Sequence, residues 1–581
     1  MSLDIARLVA FTGISTTELQ ISVASSNISN ADTKGYTRKT ANQVTNVTGG
    51  IGTGVSITGI SSNVDKLLLK SLIGANSDLG SADTTNSYLA QLQQLFGSAS
   101  SSGTSTTGTS LANSLASLES ALSSLANSPS SVSLQSAVIS ALDDFASQLR
   151  STSSGVQTLR GNADKEIASS IQSVNDDLKQ IADLNLEIRK MAASGQSTAD
   201  LEDERNSALQ DLSSYMNVSY YSASNGDLQV YTSSGRALVD SSAHTLSYTA
   251  SVNVSASSRF NGIMVDGVDV TSQISSGKIG SLITLRDDTL PAVQTQLDQL
   301  ASQLKSALNG ITNGASAVPP PTSLTGSATV SSATSLSATG TVRIAVTDQS
   351  GNLVSYGDFD LSGYSSVDDL VKGINARNIG ITASIDSGGH LALTSTSSDN
   401  GVAINDMTSS IGGTGFSAYF GINDLVTGTG AANFAVNSSM LSGTAGLPTD
   451  TLDSSATLTT GTQVLTSGSA TIINALYDKL TGSTSFASAG GLSATTGSFA
   501  DYAAVIVANV ASKASQASTN YTAKSTAQSS YASSLSSQSG VNIDEETGRL
   551  SALQNKYAAA SQLISVVNSM FSSLLSAVQS N

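Results

Sequence analysis

The chain has 581 residues with no cysteine and no tryptophan, and its 26 basic and 43 acidic side chains give a formal net charge of −17. A chain of this length divides into several domains, because single hydrophobic cores stop growing beyond about 250–300 residues. The acidic balance, without a Lys/Arg-rich run, excludes a nucleic-acid partner, which needs clustered cations. The absence of cysteine excludes disulfides, thiolate nucleophiles and cysteine-ligated zinc.

The first predicted element is an apolar N-terminal helix. One seam of it follows helical spacing: Ala10, Ile14, Thr17, Ile21, Ala24 and Ile28. Further apolar residues lie off that seam: Leu8, Phe11, Leu19 and Val23. A helix that is apolar on several faces must be buried on several sides, which neighbouring subunits can provide. Residues 1–7 lack a basic region followed by a sustained apolar core, so no Sec signal peptide is expected.

Helical patterns follow over residues 76–98 and 110–215, separated by a low-complexity loop at 98–110. The second region carries a further apolar seam: Ile171, Val174, Leu178, Ile181 and Ile188. Short alternating runs from residue 218 to about 275 predict strands. A helix is then predicted from Leu290 to Leu308, because Pro291 suits a first helical turn.

The region 325–440 has the alternating pattern and turn glycines of β structure and follows a stiff proline triplet at 319–321. Helical patterns return at about 462–480 and at 502–538. Helices on the outside of the sequence and β structure in the middle indicate that the two ends pair with each other.

The last predicted helix has the most regular pattern in the chain. Asp544, Glu545 and Glu546 lie where it begins, and their charges suit the positive end of a helix dipole. Nine apolar positions then recur in steps of three and four, which keeps them on one helix seam: Leu550, Leu553, Tyr557, Ala560, Ile564, Val567, Phe571, Leu574 and Val578. No charge follows Lys556, but many serines interrupt the helix, so we expect a packing face and no membrane span.

Candidate catalytic and metal-binding patterns are weak. The two histidines, His244 and His390, are predicted near strand ends without the positioned partners that catalysis needs. Asp203 and Glu204 could form an acid–base pair, but on a polar helix face such groups are usually solvated or paired with neighbours such as Arg205. We therefore expect no catalytic residue, no cofactor and no metal.

Both termini resemble a known family. The segment ASSNISNADTKGYTR at residues 24–38 resembles the signature of the flagellar axial family, which comprises rod, hook and hook-associated proteins and flagellin. Segments at residues 52–59, 200–206, 280–287 and 539–546 are similar to the hook-associated members of that family. Residues 367–375 and 381–386 resemble a domain inserted in flagellins and hook-associated proteins.

The resemblance implies a mainly α fold: terminal coiled-coil helices and a helical bundle with inserted β-rich domains, in an elongated multidomain axial subunit. It implies paired terminal helices over 1–40 and 540–581, a bundle over 41–320 and 445–539 with a β segment at about 218–285, and a β-rich outer domain over 321–444. It also implies an assembly interface, with these residues: Ile14, Ile21, Ala24, Asn27, Ile28, Asn30, Gly35, Tyr36, Leu550, Leu553, Tyr557, Ile564, Val567, Phe571, Leu574 and Val578. Gly35 is expected to provide a positive-φ position, and Tyr36 is either a contact residue or a plug beneath the turn.

The function implied is a self-assembling adaptor layer between hook and filament, secreted through the flagellar type III apparatus. The implied partners are further copies in a ring-like layer, the hook protein, the next hook-associated junction protein and an export chaperone for the C-terminal helix. No nucleic acid or membrane is expected. Two other functions stay open: another axial subunit, such as a hook protein or a flagellin-like protein, and a secreted surface adhesin, suggested by the Ser/Thr-rich β middle.

Overall fold

A computed structural model describes residues 3–97 and 110–579 of the chain. The loop predicted at 98–110 therefore lies, apart from Ser110, outside the described residues. More than half of the chain is helical. The α-helices are α1 (Leu3–Ser29), α2 (Lys66–Leu95), α3 (Leu111–Ala126), α4 (Val132–Ala193), α5 (Ala199–Tyr215), α6 (Gly277–Thr284), α7 (Leu290–Thr312), α8 (Val367–Ala376), α9 (Phe416–Phe420), α10 (Ser438–Leu441), α11 (Thr471–Thr481), α12 (Phe499–Ser539) and α13 (Ile543–Gln579).

The strands are short and form several two- and three-stranded antiparallel sheets. They are β1 (Lys39–Thr48), β2 (Ile51–Ser62), β3 (Val218–Ser222), β4 (Leu228–Thr232), β5 (Ala237–Val239), β6 (Leu246–Ser247), β7 (Met264–Val265), β8 (Val268–Asp269), β9 (Ser316–Ala317), β10 (Ser323–Thr325), β11 (Ala338–Thr339), β12 (Thr341–Asp348), β13 (Leu353–Asp360), β14 (Ile381–Ile385), β15 (Leu391–Ser395), β16 (Asn400–Asn405), β17 (Ser410–Ile411), β18 (Val426–Thr427), β19 (Ala435–Val436), β20 (Pro448–Asp450), β21 (Thr484–Phe486) and β22 (Thr495–Gly497). The predicted fold class, mainly α with long terminal helices and β-rich insertions, is confirmed.

The regions predicted to be helical contain helices, but several helices begin or end at other residues than predicted. The region 110–215 is divided into α3, α4 and α5, and the helix expected at 76–98 begins earlier, at Lys66. The seam predicted on α4 is buried along its whole length. The prediction for 462–470 was wrong: the helix begins at Thr471, because Val464 and Leu465 are buried in the core beside β13, where Val464 N–H donates to Gly351 O at 2.9 Å.

The chain divides into two compact units. The first comprises Met1–Tyr88, Gly161–Arg286 and Ser515–Asn581, and the second comprises Leu89–Arg160 and Asp287–Ala514. Within the second unit, β12 lies between β13 and β16, and β15 lies between β10 and β14. Helix α8 packs on β14 and contributes Val367, Leu370 and Ile374 to a hydrophobic core of this unit. The region expected to be β therefore also contains a helix, which Ser366 caps by accepting a hydrogen bond from Asp369 N–H.

The first unit contains α1, α5, α6, α13, the hairpin of β1 and β2, and two small sheets formed by β3–β5 and β6–β8. Its interior includes a buried ion pair, in which Arg286 Nη1 lies 3.0 Å from Asp164 Oδ1 and the guanidinium stacks 4.3 Å above the Phe260 ring centroid. A buried charge is tolerated only where it is paired and hydrogen-bonded. This pair therefore holds the end of the helical run that begins with α6 against α4.

His244 lies between β5 and β6, near a strand end as predicted. Its Nδ1 is 2.8 Å from Asp266 Oδ2 and its Nε2 is 3.1 Å from Asp240 Oδ2. Arg236 also faces Asp266, at 3.3 Å. Because each ring nitrogen faces a carboxylate, the arrangement favours the doubly protonated imidazolium. The contacts with Asp240, and then with Asp266, raise the pKa of His244 despite its partial burial.

We expect this contact to stabilise the first unit at low pH. Because the pKa of His244 is higher in the folded state than in the unfolded state, protonation of His244 stabilises the fold. This stabilisation is complete at pH values below the unfolded-state pKa of about 6.5, and it is lost as the pH rises through the folded-state pKa. In an NMR titration of histidine-labelled protein, the His244 midpoint should lie above the ordinary value, and D240N and D266N should each lower it. His390, which faces Asp386 within its own turn, is the internal control, because neither substitution changes a residue of that pair. A His244 midpoint unaffected by both substitutions would contradict the assignment.

Among the described residues, one helical segment is long and apolar enough to cross a membrane by length and composition. It lies within Phe499–Gln579 and contains an 18-residue window with a mean hydropathy of 1.3, of which 6% is buried. A helix with an exposed apolar packing face meets the same criterion. The window is therefore weak evidence for a membrane span.

Candidate assembly interface

The two terminal helices pack against each other in antiparallel orientation. Asn27, near the end of α1, contacts Glu546 at the start of α13, and Arg7, near the start of α1, lies 5.8 Å from the centroid of the Phe571 ring. On α1 the buried side chains are short, and Thr16 and Thr17 satisfy their hydroxyls by donating to the carbonyls of Thr12 and Gly13. Small side chains allow the two helix axes to approach closely.

The interface residues predicted from the sequence differ in their burial. Ala24, Asn27, Leu553 and Val567 are buried within the chain. A second group is half-buried: Ile14, Ile21, Ile28, Asn30, Tyr36, Leu550, Ile564 and Phe571. Four residues are exposed: Gly35, Tyr557, Leu574 and Val578. The seam of α13 is therefore at least half-buried from Leu550 to Phe571, apart from Tyr557, and its last two positions are not covered by the described residues.

The turn after α1 is formed by the family signature. Asn30 Nδ2 donates to Ser26 O at 3.0 Å, and Tyr36 N–H donates to Thr33 O at 3.1 Å. Gly35 has a φ of +82°, and a Cβ at this position would lie 2.3 Å from Ser207 Oγ. The predicted positive φ at Gly35 is thus observed, and this backbone conformation favours glycine at the turn.

Asn27 connects the end of α1 to the first residue of β1. Its side-chain amide bonds both backbone groups of Lys39, accepting from N–H at 3.0 Å and donating to C=O at 2.9 Å. The Tyr36 hydroxyl donates to Asn27 Oδ1 at 3.0 Å, and burial raises the pKa of this hydroxyl, which keeps it a donor. The Tyr36 hydroxyl is therefore bonded within the chain, beneath the turn, and its side chain is half-buried.

Glu546 connects this turn to α13. Its carboxylate accepts from Asn27 Nδ2 at 3.1 Å and from Arg38 Nε at 2.7 Å. Arg38 N–H also donates to Ser539 O at 2.8 Å, at the end of α12. Asn542 caps α13 by accepting from the Asp544 and Glu545 amides, so the acidic residues lie at the helix start as predicted. One of them, Glu546, is also a buried partner of the N-terminal segment.

Asp203 on α5 is the other anchor of this segment. It forms an ion pair with the Lys39 ammonium and accepts hydrogen bonds from Thr37 N–H at 2.8 Å and Thr37 Oγ1 at 2.6 Å. The expectation that Asp203 would be solvated or paired with Arg205 was wrong, because both Asp203 and Arg205 are buried and Arg205 bonds Asn185 and Gly226 O. We call Asn27, Tyr36, Arg38, Lys39, Asp203 and Glu546 the terminal joint.

Sequence reasoning missed four members of the terminal joint: Arg38, Lys39, Asp203 and Glu546. A partial signal was present, since Thr37 and Lys39 alternate on one side of an extended segment and so can reach the same partner. Nothing in the spacing shows that the partner lies on α5. The joint brings together residues that are more than 160 and more than 500 positions apart in the sequence.

A polar cavity of about 500 Å³ lies among α2, α5 and α12 within the first unit. Its lining includes Lys34, Asp83, Asp211 and Tyr521, and no histidine. Among residues 3–97 and 110–579, no group of three or more His, Asp or Glu side chains is placed to hold a metal ion. The cavity is thus a polar groove with no assigned chemistry.

Four family models match the chain, in an order that agrees with the fold. The model described as "Flagellar hook-associated protein FlgK helical domain" matches residues 81–317. "Flagella basal body rod protein" matches residues 8–37, and "Flagellar basal body rod FlgEFG protein C-terminal" matches residues 532–577. "Flagellin hook IN motif" matches residues 341–397, within the predicted β-rich insertion. The match to the FlgK helical-domain model includes Asp203. The matches to the two rod-protein models include three of the other five residues of the terminal joint: Asn27, Tyr36 and Glu546.

Curated relatives match part of the chain. Flagellar hook-associated protein 1 of Salmonella typhimurium is 24% identical over 313 residues, which is 52% of this chain and 55% of the relative. The protein of the same name from Escherichia coli K12 is 23% identical over a region of the same length. The chain thus spans about half the length of the curated relatives it matches.

A solved structure, the flagellar hook junction protein FlgK from Burkholderia pseudomallei, aligns with 80% of this chain and 98% of its own, with a TM-score of 0.46 and 17% identity. The helical-domain model, the models at both ends of the chain and the curated relatives all come from flagellar rod or hook-associated proteins. Together these show that the chain belongs to the family of flagellar hook-associated protein 1.

Proposed function

We propose that this chain is a structural, non-catalytic subunit that assembles into an adaptor layer between the flagellar hook and filament. The observation that carries the proposal is the surface of the paired terminal helices. They are held together by the terminal joint and still expose large apolar side chains: Leu8, Phe11 and Leu19 on α1, and Leu563, Val566, Met570, Leu574, Leu575 and Val578 on α13. Several large apolar side chains exposed on one helix pair mark an interaction site.

The proposed partners follow from the family and from this surface. Further copies of the chain would cover the exposed faces of α1 and α13 in a ring-like layer, with the hook protein on one side and the next hook-associated junction protein on the other. Before assembly, an export chaperone would cover α13, and the chain would leave the cell through the flagellar type III apparatus. The lack of cysteine suits such a passage, because no disulfide can mispair outside the cell.

We also propose a functional division of the chain. The helices at 1–40 and 540–581 form the assembly domain, 41–320 and 445–539 form a bundle domain with β structure at about 218–285, and 321–444 form an outer domain. Three of the exposed apolar side chains on α13 belong to the predicted interface: Tyr557, Leu574 and Val578. The predicted interface residues that are buried within the chain would instead hold the assembly domain in shape.

Deletion of residues 550–581 tests this proposal. We expect the truncated protein to keep the fold of its second unit, which contains no residue after 514, and to be absent from isolated flagella. The physical reason is that the deletion removes most of the α13 face that packs on α1, together with most of the exposed apolar side chains of the helix pair. Circular dichroism of the purified protein and immunoblots of isolated flagella measure the two effects. Normal filament growth with the truncated chain would contradict the proposal.

Two point variants give a finer test, with a matched control. L574S and V578S change exposed apolar side chains on α13 and should reduce incorporation without reducing stability. V252S changes a side chain that is 90% exposed and belongs to the segment between β6 and β7, and it should leave incorporation unchanged. Removing the gene separates the open alternatives: loss of a junction protein leaves hooks intact and releases filament subunits, whereas loss of an adhesin reduces attachment and leaves motility intact.

A further inference from the structure

Two exposed apolar surfaces lie on different helices of the terminal pair. The first, which we call the α13 stripe, consists of Leu563, Val566, Met570 and Leu574. These residues are spaced by three or four positions and are each about half exposed. The stripe lies beside the face that packs on α1. Its helix cannot turn the stripe towards α1 of the same chain without losing the buried contacts of Leu553 and Val567.

The second surface is a groove, which we call the α1 groove, between α1 and strand β2. Its walls are Phe11, Ser15, Leu19 and Ser22 of α1 and Val55 and Ile57 of β2. The hairpin is held beside α1 at this point, because Val55 N–H donates to Thr12 Oγ1 at 3.3 Å and Gln20 Nε2 donates to Gln43 Oε1 at 3.1 Å. The groove is therefore a fixed concave surface on the flank of α1.

The stripe and the groove match in size and length, and the two surfaces together carry a single charged residue. Large side chains recur on the stripe, whereas in the groove Ser15 leaves space between Phe11 and Leu19, and Ser22 leaves space after Leu19. Both span twelve helical residues, or roughly 17 Å. The only charged residue on the groove wall is Glu18, and α13 has no charged residue after Lys556. Large side chains inserted between small ones are the packing that adjacent helices use.

We infer that the α1 groove of one copy receives the α13 stripe of a second copy. The two surfaces differ, so each copy uses its stripe on one neighbour and its groove on another. Such a heterologous contact closes into rings or continues into helical layers, unlike a symmetric contact between two equal faces. The inference rests on the proposed function and adds to it which surface of one copy meets which surface of the next.

The absence of native cysteine allows a direct test by disulfide formation. S15C lies at the middle of the groove and M570C near the middle of the stripe, so the two should meet for either relative direction of the helices. Cells that co-express the two variants are oxidised, and isolated flagella are analysed by non-reducing electrophoresis. The matched control replaces M570C by S572C, which is also exposed and lies about 200° around the helix. A disulfide needs Cα atoms within about 7 Å, so the two positions are distinguishable.

We expect a covalent dimer from S15C with M570C and none above background from S15C with S572C. Incorporation of both variants without the S15C–M570C dimer, or equal dimer with the control, would overturn the inference and leave the proposed function intact. If the wild-type chain is absent from flagella, the proposed function itself fails. If M570C does not incorporate, V566C on the same stripe replaces it. Wild-type chain that floats with phosphatidylglycerol vesicles, when M570S does not, would assign the stripe to lipid and also overturn the inference.

Discussion

Replacing Asp203 by alanine is expected to destabilise the first unit by about 3–5 kcal/mol, the usual cost of removing one partner of a buried ion pair. The Lys39 side chain is 5% exposed and would lose its buried carboxylate partner. Thr37 would also lose the acceptor of both its amide and its hydroxyl. Native-state hydrogen exchange at the amides of 37–39 and 199–205 measures the loss locally, which avoids assuming a two-state transition for the whole chain.

D200A is the matched control for D203A. Asp200 lies on the same helix, 3.7 Å from the same ammonium, but its side chain is 79% exposed. An exposed pair of this kind contributes less than about 1 kcal/mol. If the two substitutions cost the same, the buried network does not anchor the segment. The double variant with K39M and D203L removes both charges and should recover much of the loss, because a buried ion pair can often be replaced by apolar side chains of similar volume.

Replacing Glu546 by alanine is expected to cost about 2–3 kcal/mol and to release α13 from α1. The Glu546 side chain is fully buried and accepts from both Asn27 and Arg38. The loss is smaller than for Asp203, because the Arg38 side chain is 26% exposed and can reach water when its partner is removed. Faster hydrogen exchange across the first turns of α13, with α5 unchanged, would show that the release is local.

E545A is the matched control for E546A, one residue away. Glu545 Oε1 lies 2.9 Å from Arg38 Nη2, but the Glu545 side chain is 60% exposed, so its removal should cost less than about 1 kcal/mol. E546Q keeps the shape and the hydrogen-bond acceptor and loses the charge, and its cost should lie between those of E545A and E546A. An E546A protein with wild-type exchange in α13 would show that the terminal helices are held by apolar packing alone.

Asp203 and Glu546 together fix the position of the segment that follows α1. The segment from Asn27 to Lys39 is bound to α13 through Glu546 and to α5 through Asp203. A buried polar group fixes the register of a helix pair, because any slip leaves it without its partner. The terminal joint thus sets the position of α1 along α13, and the exposed surfaces on both helices keep a defined relation to each other.

The regular features of the fold could be predicted from local patterns. The seam of α4 and the helical nature of both ends follow from spacing that a helix imposes on the sequence, and the structure confirms them. The error at 462–470 has the opposite origin. Val464 and Leu465 are apolar in any conformation, and contact with β13 rather than local preference decides that they extend.

By itself the sequence determined the family, the helix seams and the positive φ of Gly35, since each depends on residues that are close together along the chain. The tertiary structure decided which polar residues are buried. Asp203 and Glu546 look like ordinary charges on helix surfaces, and only the approach of residues 27–39 removes them from water. The same holds for the α13 stripe and the α1 groove, because exposure depends on which faces the other elements already cover.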